Sequence, residues 1–596
     1  MTVYWVVWDG AAHWVVDRLE REGALPAVGR MRRHGAFGAA RPARPNCQTP
    51  SSLATLFTGT WPREHHVTGF TVPVPDAPDP AAHTTGFAPG TLAVPPVWHH
   101  LAATGHSGAF VHVPWVIGAD GTTDPAVAAA IESYSNRLAR PAACELRPGT
   151  AFRWYEDGHT RQLPVTARAG DGHGDAGTNG SPPPTDADPD ADPGTDPGAS
   201  GHRTGRALDI TVPPDARGVR VTAPGGRSLL LRPGGGWQPL MFGPGPEAPG
   251  TWLACFRADG RPLLVRGGVW RTRTAGTCPV LRHRLETLPP FAGESAGSLY
   301  RAGTFGPRLA DGGDGSAEDV LLSSLDCVAR SFAAATDAVL TGHHTGLVVV
   351  YLPMTDDAGH ELLGWCDPGS GAHRPDIADA VWTRLRRAYQ GADTILGRVL
   401  DRAGEHDTVL LGADHGMTGT TALVHLNGPL LTAGLATADR DGTLDARRSQ
   451  VFYHPANNGL LCTGPQGSPT ALARAMTLLG GLTDPATGRR VVTAFLDDDG
   501  RPTTAPDATG AVYVALADDY QPSAQPPGDG PPVTPARKPA AHVVNTGSDR
   551  LHAVFAATGP GIGPGTRLGT VDNTLPARLV LGRLAATARA RTTAGP

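Results

Sequence analysis

The chain opens on a run of β-branched and aromatic residues, Val3 to Trp8, which predicts a buried strand. Helical periodicity follows over Ala12–Glu22 and again over Pro26–Arg33, the second closed by Gly35. Strand followed by helix predicts a parallel α/β sheet. The same alternation returns near Ala317. Leu347–Tyr351 is a continuous apolar run of the kind covered on both faces. Pro375–Leu400 places Val381, Leu385, Ala388, Ala392, Ile395 and Val399 on one helical stripe. Thr408–Leu411 and Leu551–Ala556 predict two more strands, and Leu575–Ala588 a terminal helix.

Two stretches break this pattern. Val72–Pro96 is Pro-rich and predicts a surface loop. From Cys144 to Pro290 short strands separated by Gly/Pro turns take over, at Val219–Val221, Ser228–Arg232, Trp252–Phe256 and Leu263–Val265. The expected organisation is therefore a catalytic α/β core in two halves, residues 1–143 and 301–596, divided by a β-rich insertion at 144–300. Inside the insertion, residues 170–201 are dominated by Asp, Gly, Pro, Ser and Thr, too poor in apolar groups to offset the entropy of ordering, and are expected to be disordered. Their acidic residues lack the order and closing Glu of an EF-hand loop, which argues against calcium.

Composition narrows the class. A chain of 596 residues suggests two to four domains or one large fold with insertions. The 77 Gly and 57 Pro exclude a coiled coil or helical array. A net charge of -5 gives no sign of a nucleic-acid duplex binder. The single lysine, Lys538, against fifty arginines reads as a codon bias. The seven cysteines are scattered and never form a C-x-x-C pair, so neither a disulfide framework nor a cysteine zinc site is expected. The first residues lack a secretory leader pattern, and no apolar run approaches the ~20 residues of a spanning helix. The expectation is a cytoplasmic protein with no membrane segment.

The candidate chemistry lies at strand ends. Val3–Trp8 ends at Asp9, Leu347–Tyr351 leads to Asp356 and His360, and the strand beginning at Thr408 ends at Asp414-His415. Each alone reads as turn or cap chemistry. Together they would converge, because open α/β sheets bind ligands outside the carboxyl ends of their strands. Asp and His without Cys suit zinc or another borderline divalent ion. In the Cys47–Gly59 segment, Pro50 suits the first helical position, which predicts Thr49 as the N-cap, its hydroxyl at an anion-favouring helix end.

These residues resemble the alkaline phosphatase superfamily, in its type I phosphodiesterase/nucleotide pyrophosphatase branch. The resemblance rests on Asp9-Gly10, on Thr49 with Thr58-Gly59, on Pro62-Arg63-Glu64-His65-His66-Val67 (His66 replacing a Gly), on Asp356-Asp357-Ala358-Gly359-His360, on Asp414-His415-Gly416-Met417, and on Leu426-Asn427 with Gly434-Leu435. It covers residues 1–70 and about 317–565. It implies an alkaline-phosphatase-like α/β sandwich with a central, mostly parallel sheet, Thr49 as nucleophile, and two divalent ions, zinc by default. One ion would be held by Asp9, Thr49, Asp414 and His415, the other by Asp356, His360 and a late histidine. His542, thirteen residues before Phe555, fits that last place; Asp549, in Gly547-Ser548-Asp549-Arg550, and His552 are the alternatives.

The implied activity is hydrolysis of a phosphodiester or nucleotide-linked small molecule. Phe70 stands where diesterases carry an Asn, which keeps a phosphomonoesterase as the second reading. A metal-binding protein without turnover is the third. The spacing around Cys47 excludes the C-x-P-x-R pattern of a sulfatase.

Overall fold

In the computed structural model, residues 1–155, 158–163, 207–215, 217–258, 260–342, 346–506, 510–525, 530–543 and 547–593 are described. The Asp/Gly/Pro stretch at 170–201 lies outside them. A nine-stranded sheet forms the centre. Its order is Arg273–Ala275, Val127–Glu132, Ser107–Val111, Gly346–Leu352, Val3–Trp8, Thr408–Ala413, Ala553–Thr558, Ala36–Arg41 and Thr566–Asp572. The five strands from Val127–Glu132 to Thr408–Ala413 are parallel. Ala553–Thr558 runs antiparallel to both its neighbours.

The middle strands are apolar because helices cover both faces. All six residues of Val3–Trp8 and all seven of Gly346–Leu352 are buried. Trp5 packs edge-on against Phe57, and Trp8 against Tyr389. The helix Ala378–Arg402 buries the whole stripe from Val381 to Val399. Its buried Asp393 accepts the backbone N–H groups of Ala27 and Val28 at 3.0 and 2.9 Å, so it caps the helix Pro26–His34 from another element.

Two β-rich units flank the core. One begins at Arg137–Ala139 and forms two antiparallel sheets around Phe152, Trp154, Ile210, Leu253 and Leu264 before the chain rejoins the central sheet at Arg273–Ala275. The other was not expected from the sequence. It pairs Val451–Tyr453, Leu460–Thr463, Ala511–Leu516 and Val492–Leu496, with the helix Pro469–Gly480 packed on them through Leu472 and Leu479. The Val72–Pro96 stretch also differs from a plain loop, since Thr71–Pro73 pairs antiparallel with His83–Thr85. Among the described residues no helix is long and apolar enough to cross a membrane.

Close approach between two strand ends explains one glycine. Gly10 has φ +61, and a Cβ there would lie 2.6 Å from Asp356 Oδ1 and 3.0 Å from Asp356 Cα. Gly10→Ala is expected to cost on the order of 2 kcal/mol through strain and displacement of Asp356. Thermal unfolding of the variant should show a melting point lowered by about 1–2 °C; an unchanged one would refute the constraint.

Candidate active site

Three neighbouring parallel strands deliver the acidic groups. Asp9 follows Val3–Trp8, and Asp414-His415 follow Thr408–Ala413. Asp356 and His360 lie one turn apart on the helix Met354–Cys366, which starts just after Gly346–Leu352. His542 follows the short strand Ala540–Ala541, held by pairing with Thr418–Gly419. The structure brings all seven expected residues together.

His415 Nε2 lies 3.4 Å from Asp9 Oδ1, 3.2 Å from Asp414 Oδ2 and 3.2 Å from Thr49 Oγ1. Asp356 reaches His360 Nε2 through Oδ2 and His542 Nε2 through Oδ1, each at 3.4 Å. The His415 and His542 rings stack with centroids 3.6 Å apart. Two sets of potential ligand atoms, Asp356/His360/His542 and Asp9/Asp356/His415, each fall within 4.8 Å of one another, and Asp356 belongs to both. Asp549 points away into solvent and pairs with His552 Nδ1 at 3.4 Å, so neither joins the cluster. Asp356 and His360 keep 14% and 16% side-chain exposure, which marks the open side of an otherwise buried site.

Backbone carbonyls aim the imidazoles. Nδ1 of His360, His415 and His542 meets the carbonyls of Ala540, Gly416 and Cys47 at 2.9, 2.9 and 3.3 Å. A carbonyl only accepts, so each Nδ1 is the protonated donor and each Nε2 offers its lone pair to the centre. The carboxylates are oriented likewise. Tyr351 donates its hydroxyl to Asp9 Oδ2, and Thr355 donates to the Asp9 carbonyl. Asp414 Oδ1 accepts the N–H groups of Gly10 and His415 at 3.1 and 3.0 Å. Asn573 donates to the carbonyls of Ala413 and Asp414 at 2.9 and 2.8 Å, fixing the turn that carries them. Sequence reasoning missed Tyr351, Thr355 and Asn573. Tyr351 had one available signal, a polar tip ending an otherwise apolar strand; Asn573 had none.

One oxygen on each acid, Asp9 Oδ1, Asp356 Oδ1 and Asp414 Oδ2, is buried without a hydrogen bond. Burial first, then the neighbouring carboxylates of Asp414 and Asp356, raise Asp9 well above the ordinary carboxylate range. Burial likewise pushes Asp414 up to about 7. It pushes His360 down to about 3 and His415 well below its usual value. Crowded carboxylates and neutral imidazoles, with lone pairs converging, fit a divalent cation of N/O-ligand preference.

Thr49 corrects one expectation. It is the first residue of the helix Thr49–Thr58, and Gln48 is the N-cap. Ser52 N–H donates to the Gln48 carbonyl at 3.0 Å, which sets the helix start one residue earlier. Asn46 Oδ1 accepts from Gln48 N–H and Ser51 Oγ, both at 3.1 Å, and so ties down the residues that start the helix. Pro50 therefore sits second in the helix, and the Thr49 hydroxyl is free to meet His415. At Phe70, backbone N–H bonds to Gln48 Oε1 at 2.9 Å while the ring packs against Phe87.

The type I phosphodiesterase / nucleotide pyrophosphatase family matches this sequence over residues 3–165 and 310–508, more than half of the chain. No curated protein matches. Solved structures match at low identity. Human ectonucleotide pyrophosphatase / phosphodiesterase 5 is 10% identical, with 98% of this chain and 95% of that one covered, at a TM-score of 0.45. An inactive form of the murine protein in complex with AMP is 10% identical over 98% and 95%, at 0.44. Phosphonoacetate hydrolase from Sinorhizobium meliloti 1021, in complex with phosphonoformate, is 11% identical over 98% and 96%, at 0.45.

The shifted acids predict how the site meets a metal. A divalent ion taken up here would have to displace protons from Asp9 and Asp414, whereas His360 and His415 are already neutral. Affinity of the chelator-stripped protein for zinc should weaken as pH falls below about 7, the value to which Asp414 is raised, with protons released on binding. Competition with a chromophoric chelator checks this. Affinity unchanged from about pH 7.5 down to about 5.5 would contradict it.

Proposed function

Since the chain belongs to the type I phosphodiesterase / nucleotide pyrophosphatase family and is a hydrolase of phosphoester bonds, we propose that it cleaves a phosphodiester or nucleotide-linked metabolite through a covalent intermediate on Thr49. The observation that carries this reading is Thr49 Oγ1, relieved of capping and 3.2 Å from His415 Nε2 at the edge of the acid/imidazole cluster.

Asp9, Thr49, Asp414 and His415 would hold one divalent ion, and Asp356, His360 and His542 a second, with zinc suiting the N/O donors. Bound there, the ions would supply the positive charge that lowers the hydroxyl pKa and neutralises phosphoryl oxygens. The Thr49 oxygen attacks phosphorus in line. The Oγ–P bond forms, the bond from phosphorus to the leaving oxygen breaks, and that oxygen leaves with a proton. Water then attacks phospho-Thr49, releasing the phosphoryl group and returning a proton to the hydroxyl. The rigid start of the Thr49–Thr58 helix, tied by Asn46, keeps the nucleophile in place between these steps. The Phe70 ring, in place of a phosphoryl-binding amide, supports phosphomonoesters as the second reading. Comparing bis-p-nitrophenyl phosphate with p-nitrophenyl phosphate separates the two.

Thr49→Val keeps the side-chain shape and removes the hydroxyl. Because Thr49 is not the N-cap, the variant should fold with nearly unchanged thermal stability and lose hydrolysis by about a thousandfold or more. Thr49→Ser should retain turnover within about tenfold and still yield trapped phospho-enzyme. Substantial turnover in folded Thr49→Val would defeat the covalent route and favour direct attack by water.

A further inference from the structure

The central sheet carries a second set of chemistry at its carboxyl edge. The strand Ser107–Val111 neighbours Gly346–Leu352 and ends at His112, which is left-handed with φ +54, an uncommon backbone for a non-glycine residue. A cavity of about 190 Å³ lies here, between the core and the first β-rich unit. Its lining includes His112, Ile131, Trp252, Trp270, Phe291 and Arg330, and none of the acid/imidazole cluster.

The walls are aromatic. Phe291 stacks on the His112 ring with centroids 4.1 Å apart and 25° between planes. Trp270 meets Phe291 edge-on at 5.3 Å. The Arg330 guanidinium covers Trp252 at 5.4 Å. His112 is 2% exposed, and its imidazole makes no hydrogen bond to the described residues. Burial pushes its pKa down to about 3, so the ring is neutral at ordinary pH. A neutral imidazole offers one donor and one acceptor; Nδ1 is buried without a hydrogen bond, and leaving it unmet at this depth is costly. A hydroxyl can answer either nitrogen, because it both donates and accepts. A cavity of about 150 Å³ holds one benzene ring, so 190 Å³ has room for a ring and one more heavy atom.

We propose that this cavity is a binding site for a phenol, a single hydroxylated aromatic ring held among Phe291, Trp270 and Trp252 with its hydroxyl bonded to the His112 imidazole. The site stands apart from phosphoester hydrolysis but adjoins it. Tyr134 packs on His112, Trp270 and Phe291, and also on Tyr351, whose hydroxyl holds Asp9.

Calorimetric titration of the intact protein with phenol and with toluene tests this, since toluene matches the shape and lacks the hydroxyl. Phenol should saturate one site and bind about tenfold or more tighter than toluene. His112→Phe keeps an aromatic ring, and His112→Asn tolerates the left-handed backbone; in whichever folds, the preference for phenol should vanish. Absence of saturation by phenol up to about 5 mM, equal binding of toluene by the wild-type protein, or a preference surviving in a folded variant would each overturn the proposal.

Discussion

Three buried carboxylates whose simultaneous ionisation is disfavoured without a cation dominate this molecule. Asp9, Asp356 and Asp414 converge with one oxygen each unbonded, and the first and last are pushed upward by burial and mutual repulsion. Nothing in the stability of an α/β sheet calls for such an arrangement. It persists because strand order places three neighbouring carboxyl ends side by side. The glycines around it keep it tight. A Cβ at Gly10 would strike Asp356, one at Gly359 would lie 2.8 Å from Met417 Sδ, and one at Gly416 would lie 2.4 Å from the Arg550 carbonyl.

The histidines tie this centre to distant parts of the chain. The carbonyls that fix their tautomers come from Cys47, Gly416 and Ala540, so the segment leading into the Thr49–Thr58 helix, the strand exit and the short strand Ala540–Ala541 all converge on it. Cys47 closes the loop by donating its thiol to the His542 carbonyl at 2.9 Å. A shift in any of these segments turns an imidazole, which makes the geometry of the cluster cooperative with the fold.

The sequence carried the core strands and the charged residues well, because both are local signals. Val3–Trp8 and the strand starting at Thr408 are legible as apolar runs, and the Asp and His residues follow them directly. Other features were hidden for one shared reason, the sequence distance to the partner. Tyr351 bonds Asp9 across 342 positions, Asn573 reaches Asp414 across 159, and Asp393 caps a helix 365 positions earlier. The misplaced cap at Thr49 has a local origin. Pro50 marks a first turn without fixing its first residue, and the N-cap falls one position earlier, at Gln48. The second β-rich unit escaped notice because its strands are three to six residues long and separated by polar turns.

The central claim is that the acid/imidazole cluster exists to hold paired divalent ions against Thr49. Anomalous diffraction at the zinc edge, from crystals of protein purified without chelator, tests it most directly. The account predicts two peaks, one among Asp9, Thr49, Asp414 and His415 and one among Asp356, His360 and His542. A fully active protein with no anomalous peak in this cluster, or with its metal bound elsewhere, would contradict it.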